Sequence, residues 1–213
     1  MTVPGAPSQD AAVVLWDADG VLQRVPGGRE ESMRPAVADL VDDVEAFLVE
    51  ALAAERPALR GEVRWLDVLP SLLDRWGIAD AYDDIARRWL TTEEVPGTHA
   101  LVRELRGAGV ACHLATNQAV ERGQLMHTAH GYGSLLDGAF YSYRLGAAKP
   151  DPAFFTLIAE RLQRAPAELL LVDDNAANVE AARSVGLAAE VWSHAEPLSS
   201  LRGLLADHGL PTG

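Results

Sequence analysis

The sequence predicts an α/β protein with a doubly wound, mainly parallel sheet and a small α-helical insert. Short apolar runs alternate with helical patterns along most of the chain, which is typical of parallel strands joined by helical crossovers. Three of these runs end directly in polar residues. Residues from about 25 to 95, in contrast, carry helical patterns only. Together these observations predict one core domain and one helical insert.

The core elements follow from hydrophobic pattern and length. The run 11–16 (AAVVLW) is too short for an ordinary helix and contains two valines, so it predicts a buried strand, as does LLLV at 169–172. Asp151 and Pro152 have the residue types of an N-cap and a first helical position. The full prediction places strands near 12–16, 110–115, 139–142, 169–173 and 188–192, and helices near 98–108, 119–129, 151–164, 176–186 and 197–208.

The same patterns set the domain boundaries. Residues 1–9 (MTVPGAPSQ) lack the charged and apolar blocks of a signal peptide and are expected to be a frayed leader. The core domain is predicted to comprise 10–24 and 96–213, and the insert 25–95. Hinges are expected near 24–28 and 94–97, which both contain Pro and Gly. The insert is predicted to form helices over 34 to about 54, 65–76 and 79–90, the first with an apolar stripe of Leu40, Val44, Phe47, Leu48 and Ala51.

The segment Asp17-Ala18-Asp19-Gly20 directly follows the first predicted strand. Because side chains alternate along a strand, Asp17 and Asp19 leave the sheet on the same side. Two carboxylates placed that close repel each other unless a cation or a shared proton lies between them. Gly20 permits a sharp turn and keeps the approach open to a ligand. Taken alone, the segment is better explained as a solvated acidic turn.

Asp173 and Asp174 form a second acidic pair after another predicted buried strand. Acids at this point can also be explained by a favourable interaction with the positive N-terminal end of the following helix, but this accounts for one acid better than for two. Both pairs are expected at the carboxyl edge of one sheet, where open α/β sheets bind ligands. A small number of hard oxygen ligands suits Mg²⁺. The sequence therefore predicts a magnesium site formed by Asp17, Asp19, Asp173 and Asp174.

Three further residues are candidates for binding phosphate. Thr116 and Asn117 follow the strand predicted near 110–115, and their hydroxyl and amide groups can hold phosphate oxygens, although a turn or a helix N-cap explains them equally well. Lys149 is the only lysine in the chain, since every other strongly basic residue is arginine. Retention of one compact ammonium group beside this edge favours phosphate binding over a solvated surface position.

Charge balance gives Asp19 a further role. Four ionised carboxylates outweigh one Mg²⁺ and the Lys149 ammonium, so the site would repel a phosphate dianion unless one carboxyl group holds a proton. Asp19 is the natural candidate, because it can donate that proton to the leaving oxygen and then act as general base on water. Asp17 would remain ionised as nucleophile and metal ligand.

Four segments, DADGVL at 17–22, LATN at 114–117, AAKPDPAFF at 147–155 and LLLVDDNAANVEAARSVGL at 169–187, resemble motifs I to IV of the haloacid dehalogenase-like (HAD) hydrolase superfamily. Because Asp19 is present, the chain resembles the Mg²⁺-dependent phosphatases rather than the dehalogenases. The resemblance implies that Asp17 is the nucleophile and that Asp19 is the acid/base and binds the metal through its backbone carbonyl. It implies phosphate binding by Thr116 and Lys149. It also implies that Asp174 binds the metal directly, with Asp173 behind it. It also implies a central first strand and a helical cap.

The predicted cap contains three tryptophans, Trp65, Trp76 and Trp89. They can form a sugar-stacking surface, but aromatic residues spaced along helices are more often core. Arg24 and Arg29 follow the first motif and can meet a second anionic group, although a solvated arginine explains each of them better. The six histidines show no metal-ligand spacing and receive no role.

Composition excludes several classes of protein. Of the 213 residues, 48% are hydrophobic, and the net charge of −13 opposes binding to nucleic acid or to anionic lipid. No run approaches the roughly 18 apolar residues that a membrane span needs. The single cysteine, Cys112, excludes an internal disulfide and is expected to be a buried thiol in a cytoplasmic protein.

The sequence therefore predicts Mg²⁺-dependent hydrolysis of a small phosphorylated metabolite, possibly a sugar phosphate, through an aspartyl-phosphate. A phosphomutase similar to β-phosphoglucomutase has the same core residues and would return the phosphate to its product. A catalytically silent HAD-like binding domain is a third possibility. A dehalogenase is disfavoured because it would leave Asp19 and the second acidic pair without a role.

Overall fold

The computed structural model describes residues 13–212, except for the side chain of Arg29. The predicted leader, residues 1–9, lies outside the described residues. The strands are β1 (Val13–Trp16), β2 (Gln23–Arg24), β3 (Glu93–Glu94), β4 (Ala111–Thr116), β5 (Gly138–Tyr141), β6 (Leu169–Asp173) and β7 (Ala188–Val191). Within residues 25–95, the predicted insert, the helices are α1 (Arg29–Val37), α2 (Val44–Leu59), α3 (Trp65–Arg75) and α4 (Tyr82–Leu90).

The remaining helices belong to the core. They are α5 (Pro96–Gly107), α6 (Val120–Thr128), α7 (Tyr132–Leu135), α8 (Ser142–Leu145), α9 (Pro152–Leu162), α10 (Ala176–Ser184) and α11 (Leu198–Asp207), with 3₁₀ turns at Ala79–Ala81 and Pro166–Glu168. The predicted major core elements are confirmed to within one or two residues at each end, the usual uncertainty of such boundaries. The four-residue helices α7 and α8 were not predicted, because one turn is too short to show a helical period.

Five strands form one parallel sheet in the order β5-β4-β1-β6-β7. This confirms the predicted doubly wound fold with the first strand at its centre. Alternate residues of β1 enter different hydrophobic clusters: Val14 and Trp16 pack with α5 and α11, whereas Val13 and Leu15 pack with α9 and α10. Because all four are buried, the strand reads as a continuous apolar run rather than an alternating one.

The four helices within residues 25–95 share one hydrophobic cluster, to which Ala119, just before α6, also belongs. Trp65 and Trp89 are buried in it with their ring centroids 5.8 Å apart, and Trp76 packs against it from a partly buried position. The indole nitrogens of Trp76 and Trp89 donate to Glu50 and Glu55 at 2.8 Å and 3.2 Å. These tryptophans are therefore packing residues of the insert rather than a stacking surface.

Two predictions for the insert were wrong in detail. The helix predicted over 34–54 is two helices, α1 and α2, because Asp43 caps α2 by accepting a hydrogen bond from the Ala46 N–H at 2.9 Å. Leu40, assigned to the apolar stripe, lies between these helices and is 53% exposed. The two expected hinges are partly ordered as well, since β2 and β3 pair antiparallel. Among the described helices, none combines the length and apolarity needed to cross a bilayer.

Candidate active site

The candidate site lies at the carboxyl edge of the sheet, where β1, β4 and β6 end side by side. The Asp17 N–H continues the sheet pairing by donating to the Val172 carbonyl at 2.9 Å, which brings Asp17 next to Asp173. Carboxylate oxygens of Asp17, Asp173 and Asp174 all lie within 4.8 Å of one another. The sheet therefore brings together three of the four predicted acids.

Lys149 occupies the centre of this acidic group. Its Nζ lies 2.9 Å from Asp17 Oδ1 and 2.6 Å from Asp173 Oδ2, and it donates to the Ala115 carbonyl at 2.9 Å. All three ammonium hydrogens thus have acceptors. Burial alone would lower the pKa of Lys149, but the charges of Asp17 and Asp173 outweigh it and raise that pKa to about 12. The ammonium group is therefore a fixed positive charge between two carboxylates.

Asp17 is an acid whose pKa is strongly perturbed. Burial raises its pKa from 3.8 to about 7, the Lys149 charge opposes this rise, and the Asp173 charge adds to it. Its Oδ1 also accepts the Ala18 N–H at 2.7 Å. A buried carboxylate with like charges beside it is stabilised by additional positive charge, which is the condition that a divalent cation meets.

Asp173 and Asp174 differ sharply in their surroundings. Asp173 is fully buried, and beyond Lys149 its carboxylate accepts hydrogen bonds from the Asn175 N–H and from Asn178 Nδ2, both at 2.9 Å. Asp174 is exposed as a residue and lines the cavity beside the site. Partial burial, and secondarily the Asp173 charge, raises the pKa of Asp174. Asp174 therefore has the accessible carboxylate, while that of Asp173 is occupied in holding the site together.

Gly20 allows the approach of Asp174. Its φ of +87° suits glycine, and a Cβ at this position would lie 2.0 Å from Asp174 Oδ2. The backbone turns tightly here, since the N–H groups of Val21, Leu22 and Gln23 all donate to the Ala18 carbonyl. Any side chain at residue 20 would displace the Asp174 carboxylate.

Thr116 and Asn117 lie at the same edge, at the end of β4. Thr116 is buried, and its Oγ1 accepts a 3.3 Å hydrogen bond from Gln118 Nε2, which leaves the hydroxyl hydrogen available for a ligand. The side chain of Asn117 instead pairs with the backbone of Lys149, donating to its carbonyl and accepting from its N–H, both at 2.8 Å. The Asn117 amide therefore positions Lys149 rather than pointing at an incoming phosphate.

Asp19 lies outside this group of three acids, and its carboxylate is held by three side chains. Its Oδ1 accepts from Arg122 Nη2 and from Gln23 Nε2, both at 2.8 Å, and its Oδ2 accepts from Gln118 Nε2 at 3.1 Å. Arg122 is fully buried. Arg122 adds a positive charge that the sequence did not place at the site. The prediction that one carboxyl group must hold a proton in the resting site is therefore wrong, because the four carboxylates are balanced by Mg²⁺, Lys149 and Arg122.

Arg122, Gln118 and His194 are the site residues that sequence reasoning missed. Gln118 directly follows the LATN segment, and Arg122 comes five residues after that segment and four residues before the buried Met126, so helical spacing was an available signal. His194 follows the end of β7 and donates its N–H to the Gly20 carbonyl at 2.7 Å. Its position could have been predicted as well, because polar residues that follow a parallel strand lie at the ligand-binding edge of the sheet.

A cavity of about 680 Å³ opens beside the acids. Asp19, Gly20 and Asp174 line it, together with Arg24, Glu93, His194 and the segment 25–28. Arg24 and Glu93 form an ion pair of 2.7 Å across the β2–β3 ribbon. The volume is within the usual range for small-molecule sites.

Comparisons with known proteins agree with this geometry. A family model for haloacid dehalogenase-like hydrolases matches residues 11–186. A sesquiterpene phosphatase of Aspergillus oryzae is 36% identical over 88 residues, which span 41% of this chain and 45% of that protein, less than half of its length. An enolase-phosphatase E1 of Methylococcus capsulatus is 26% identical over 206 residues, with 81% of this chain and 85% of that protein covered.

Solved structures share the fold. A HAD family enzyme of Bacteroides thetaiotaomicron superposes with a TM-score of 0.75 at 19% identity, over 90% of this chain and 98% of that one. The same enzyme, crystallised as a complex with magnesium and inorganic phosphate, superposes with a TM-score of 0.73 at 18% identity over the same shares of the two chains.

Proposed function

The chain belongs to the haloacid dehalogenase-like hydrolase family, and we propose that it is a Mg²⁺-dependent phosphatase acting on a small phosphorylated metabolite. The observation that carries this proposal is the cluster of Asp17, Asp173 and Asp174 around the single ammonium group of Lys149, with Asp19 at the same edge of the sheet. Relatives named as phosphatases support it, as does the structural neighbour that holds magnesium and phosphate.

The donor set fits Mg²⁺. Three carboxylates lie within reach of one ion, and Lys149 balances only one of their charges. Asp17 and Asp174 would hold the metal directly, together with the backbone carbonyl of Asp19, while Asp173 holds Lys149 from behind. When bound, the ion supplies positive charge that favours the ionised form of Asp17 and neutralises charge on the phosphoryl group. With Lys149 and Arg122, it balances the four carboxylates, so a phosphate dianion meets a neutral site.

In the first half-reaction, a carboxylate oxygen of Asp17 attacks the phosphorus atom of the ester. A new P–O bond forms on Asp17 as the bond to the leaving alcohol breaks, and Asp19 donates a proton to the departing oxygen. The Thr116 hydroxyl would hold a phosphate oxygen through this step, and Lys149 would do so after releasing one of its three present acceptors. For Asp19 to donate, it must take up a proton and loosen its contact with Arg122 when substrate binds.

In the second half-reaction, water attacks the phosphorus atom of the aspartyl-phosphate. Asp19, now ionised, accepts a proton from that water, inorganic phosphate leaves and the Asp17 carboxylate is restored. The hydrogen bonds from Arg122, Gln118 and Gln23 favour this ionised form of Asp19. Every group that this sequence of steps needs lies at one edge of the sheet.

We propose a polar substrate, a sugar phosphate or a similar metabolite, rather than an isoprenoid phosphate. The relative from Aspergillus oryzae is named for sesquiterpene chemistry, but among the described residues that line the cavity none is Phe, Tyr or Trp, and Val25 and Pro26 are the apolar ones. Arg24, Glu93 and His194 supply hydrogen-bonding groups to the same lining. The helical insert, residues 25–95, would act as the cap over this cavity, with the β2–β3 ribbon as its attachment.

The test is phosphate release from p-nitrophenyl phosphate by wild-type protein and Asp17→Asn, each with Mg²⁺ and with EDTA. We expect Mg²⁺-dependent release by the wild type and none by Asp17→Asn, because the amide cannot act as the nucleophile. Asp207→Asn, an exposed aspartate at the end of α11, is the matched control and should behave as wild type. Turnover that survives in Asp17→Asn would disprove the assignment. An inactive wild type would favour the phosphomutase or the catalytically silent binding domain.

A further inference from the structure

His194 is anchored to the loop that follows β1. Its backbone N–H donates to the Gly20 carbonyl at 2.7 Å, and its ring Nδ1 lies 3.1 Å from the same oxygen. Gly20 in turn lies against the carboxylate of Asp174. The backbone and the ring of His194 thus both contact the Gly20 carbonyl, which holds the imidazole at the wall of the cavity near Asp174.

The contact with Gly20 determines which ring nitrogen is left for a ligand. A carbonyl oxygen only accepts hydrogen bonds, so the tautomer that satisfies this contact carries its hydrogen on Nδ1. Nε2 is then the acceptor of the ring. His194 is partly exposed and lines the cavity, so Nε2 is the ring nitrogen left to contact a substrate bound there.

The neighbouring wall has matching chemistry. Arg24 directs Nε and Nη2 to a single oxygen of Glu93, at 3.0 Å and 2.7 Å, and both side chains remain about half exposed. The wall therefore offers donors and acceptors at fixed places. A cavity of about 680 Å³ has room for a leaving group beyond the phosphate.

We propose that His194 is a specificity-determining residue whose Nε2 accepts a hydrogen bond from a hydroxyl group of the leaving alcohol. The preferred substrates are then phosphate monoesters of polyhydroxylated alcohols, and esters whose leaving group lacks hydroxyl groups are turned over less efficiently. This inference rests on the proposed phosphatase function and names the substrate class of the same site.

The experiment compares glucose 1-phosphate with cyclohexyl phosphate, which has a six-membered ring without hydroxyl groups, in the presence of Mg²⁺. The variant is His194→Asn, because its side-chain amide can still donate to the Gly20 carbonyl but places no acceptor where Nε2 lies. We expect the ratio of kcat/KM for the two esters to fall about five-fold in His194→Asn, as the loss of one neutral hydrogen bond predicts. His208→Asn, at the exposed end of α11, is the matched control and should keep the wild-type ratio.

A binding measurement separates recognition from turnover. In an Asp17→Asn background, which should not react, calorimetry should show weaker binding of glucose 1-phosphate after His194→Asn, again by about five-fold. A ratio that does not change, or an equal loss on both esters, would mean that His194 only anchors Gly20 and would overturn the proposal. If the wild type hydrolyses neither ester nor p-nitrophenyl phosphate, the phosphatase function itself fails, which is a distinct result.

Discussion

Lys149→Met is expected to destabilise the metal-free protein by about 3–5 kcal/mol, the range for removal of one partner from a buried ion pair. The Lys149 side chain is 1% exposed, and its ammonium group lies 2.9 Å from Asp17 and 2.6 Å from Asp173. Methionine has a similar volume, so the packing is largely kept while two buried carboxylates lose their counter-charge. A typical domain has about 5–15 kcal/mol of stability, so the variant should still fold but unfold at much lower denaturant.

The assay is urea unfolding in EDTA and in Mg²⁺. Without Lys149 the group formed by Asp17, Asp173 and Asp174 carries one more net negative charge, so Mg²⁺ should stabilise the variant more than the wild type, although phosphatase activity is lost. Arg164→Met removes an exposed ion pair to Glu168 and should change stability by about 1 kcal/mol or less. A variant as stable as wild type in EDTA, or one stabilised less by Mg²⁺, would refute the charge-balance reasoning.

Two further predictions concern Gly20 and Cys112. Gly20→Ala should weaken Mg²⁺ binding in calorimetry, because its Cβ would lie 2.0 Å from Asp174 Oδ2. Gly77→Ala is the control, since Gly77 has a φ of +69° and open space around it. It should destabilise the protein through its backbone alone and leave Mg²⁺ binding intact. Equal Mg²⁺ affinities in the two variants would contradict this. Burial raises the pKa of the Cys112 thiol to about 11, so a disulfide reagent at pH 8 should label it only after unfolding in urea, and rapid labelling of the folded protein would show that the strand is open.

The strands and helices of the core were predictable because their signals are local. β1 and β6 are unbroken apolar runs buried on both faces, and such runs identify central parallel strands without knowledge of their partners. The insert was harder. Its split between α1 and α2 depends on Asp43 as a cap, and Asp42 and Asp43 both read as ordinary polar residues within a helical pattern.

Asp17, Asp173, Asp174 and Lys149 were predictable as neighbours because each follows a strand or precedes a helix at one known edge. Asn117 was predicted at this edge as well, because it follows a strand. Its contact with Lys149 was not predicted, since its place after a strand does not specify the partner of its side chain. The pairing of Asn117 with the backbone of Lys149 joins residues 32 positions apart.

The fold class, the acidic edge of the sheet and the lysine beside it could be predicted because each of them depends on short-range pattern. The charge balance of the site and the residues that line its cavity depend on contacts between distant parts of the chain. Arg122 lies 103 residues from Asp19 along the chain, and His194 lies 174 residues from Gly20. Contacts over such separations depend on how the strands are ordered and how the helices pack, so no local pattern specifies them.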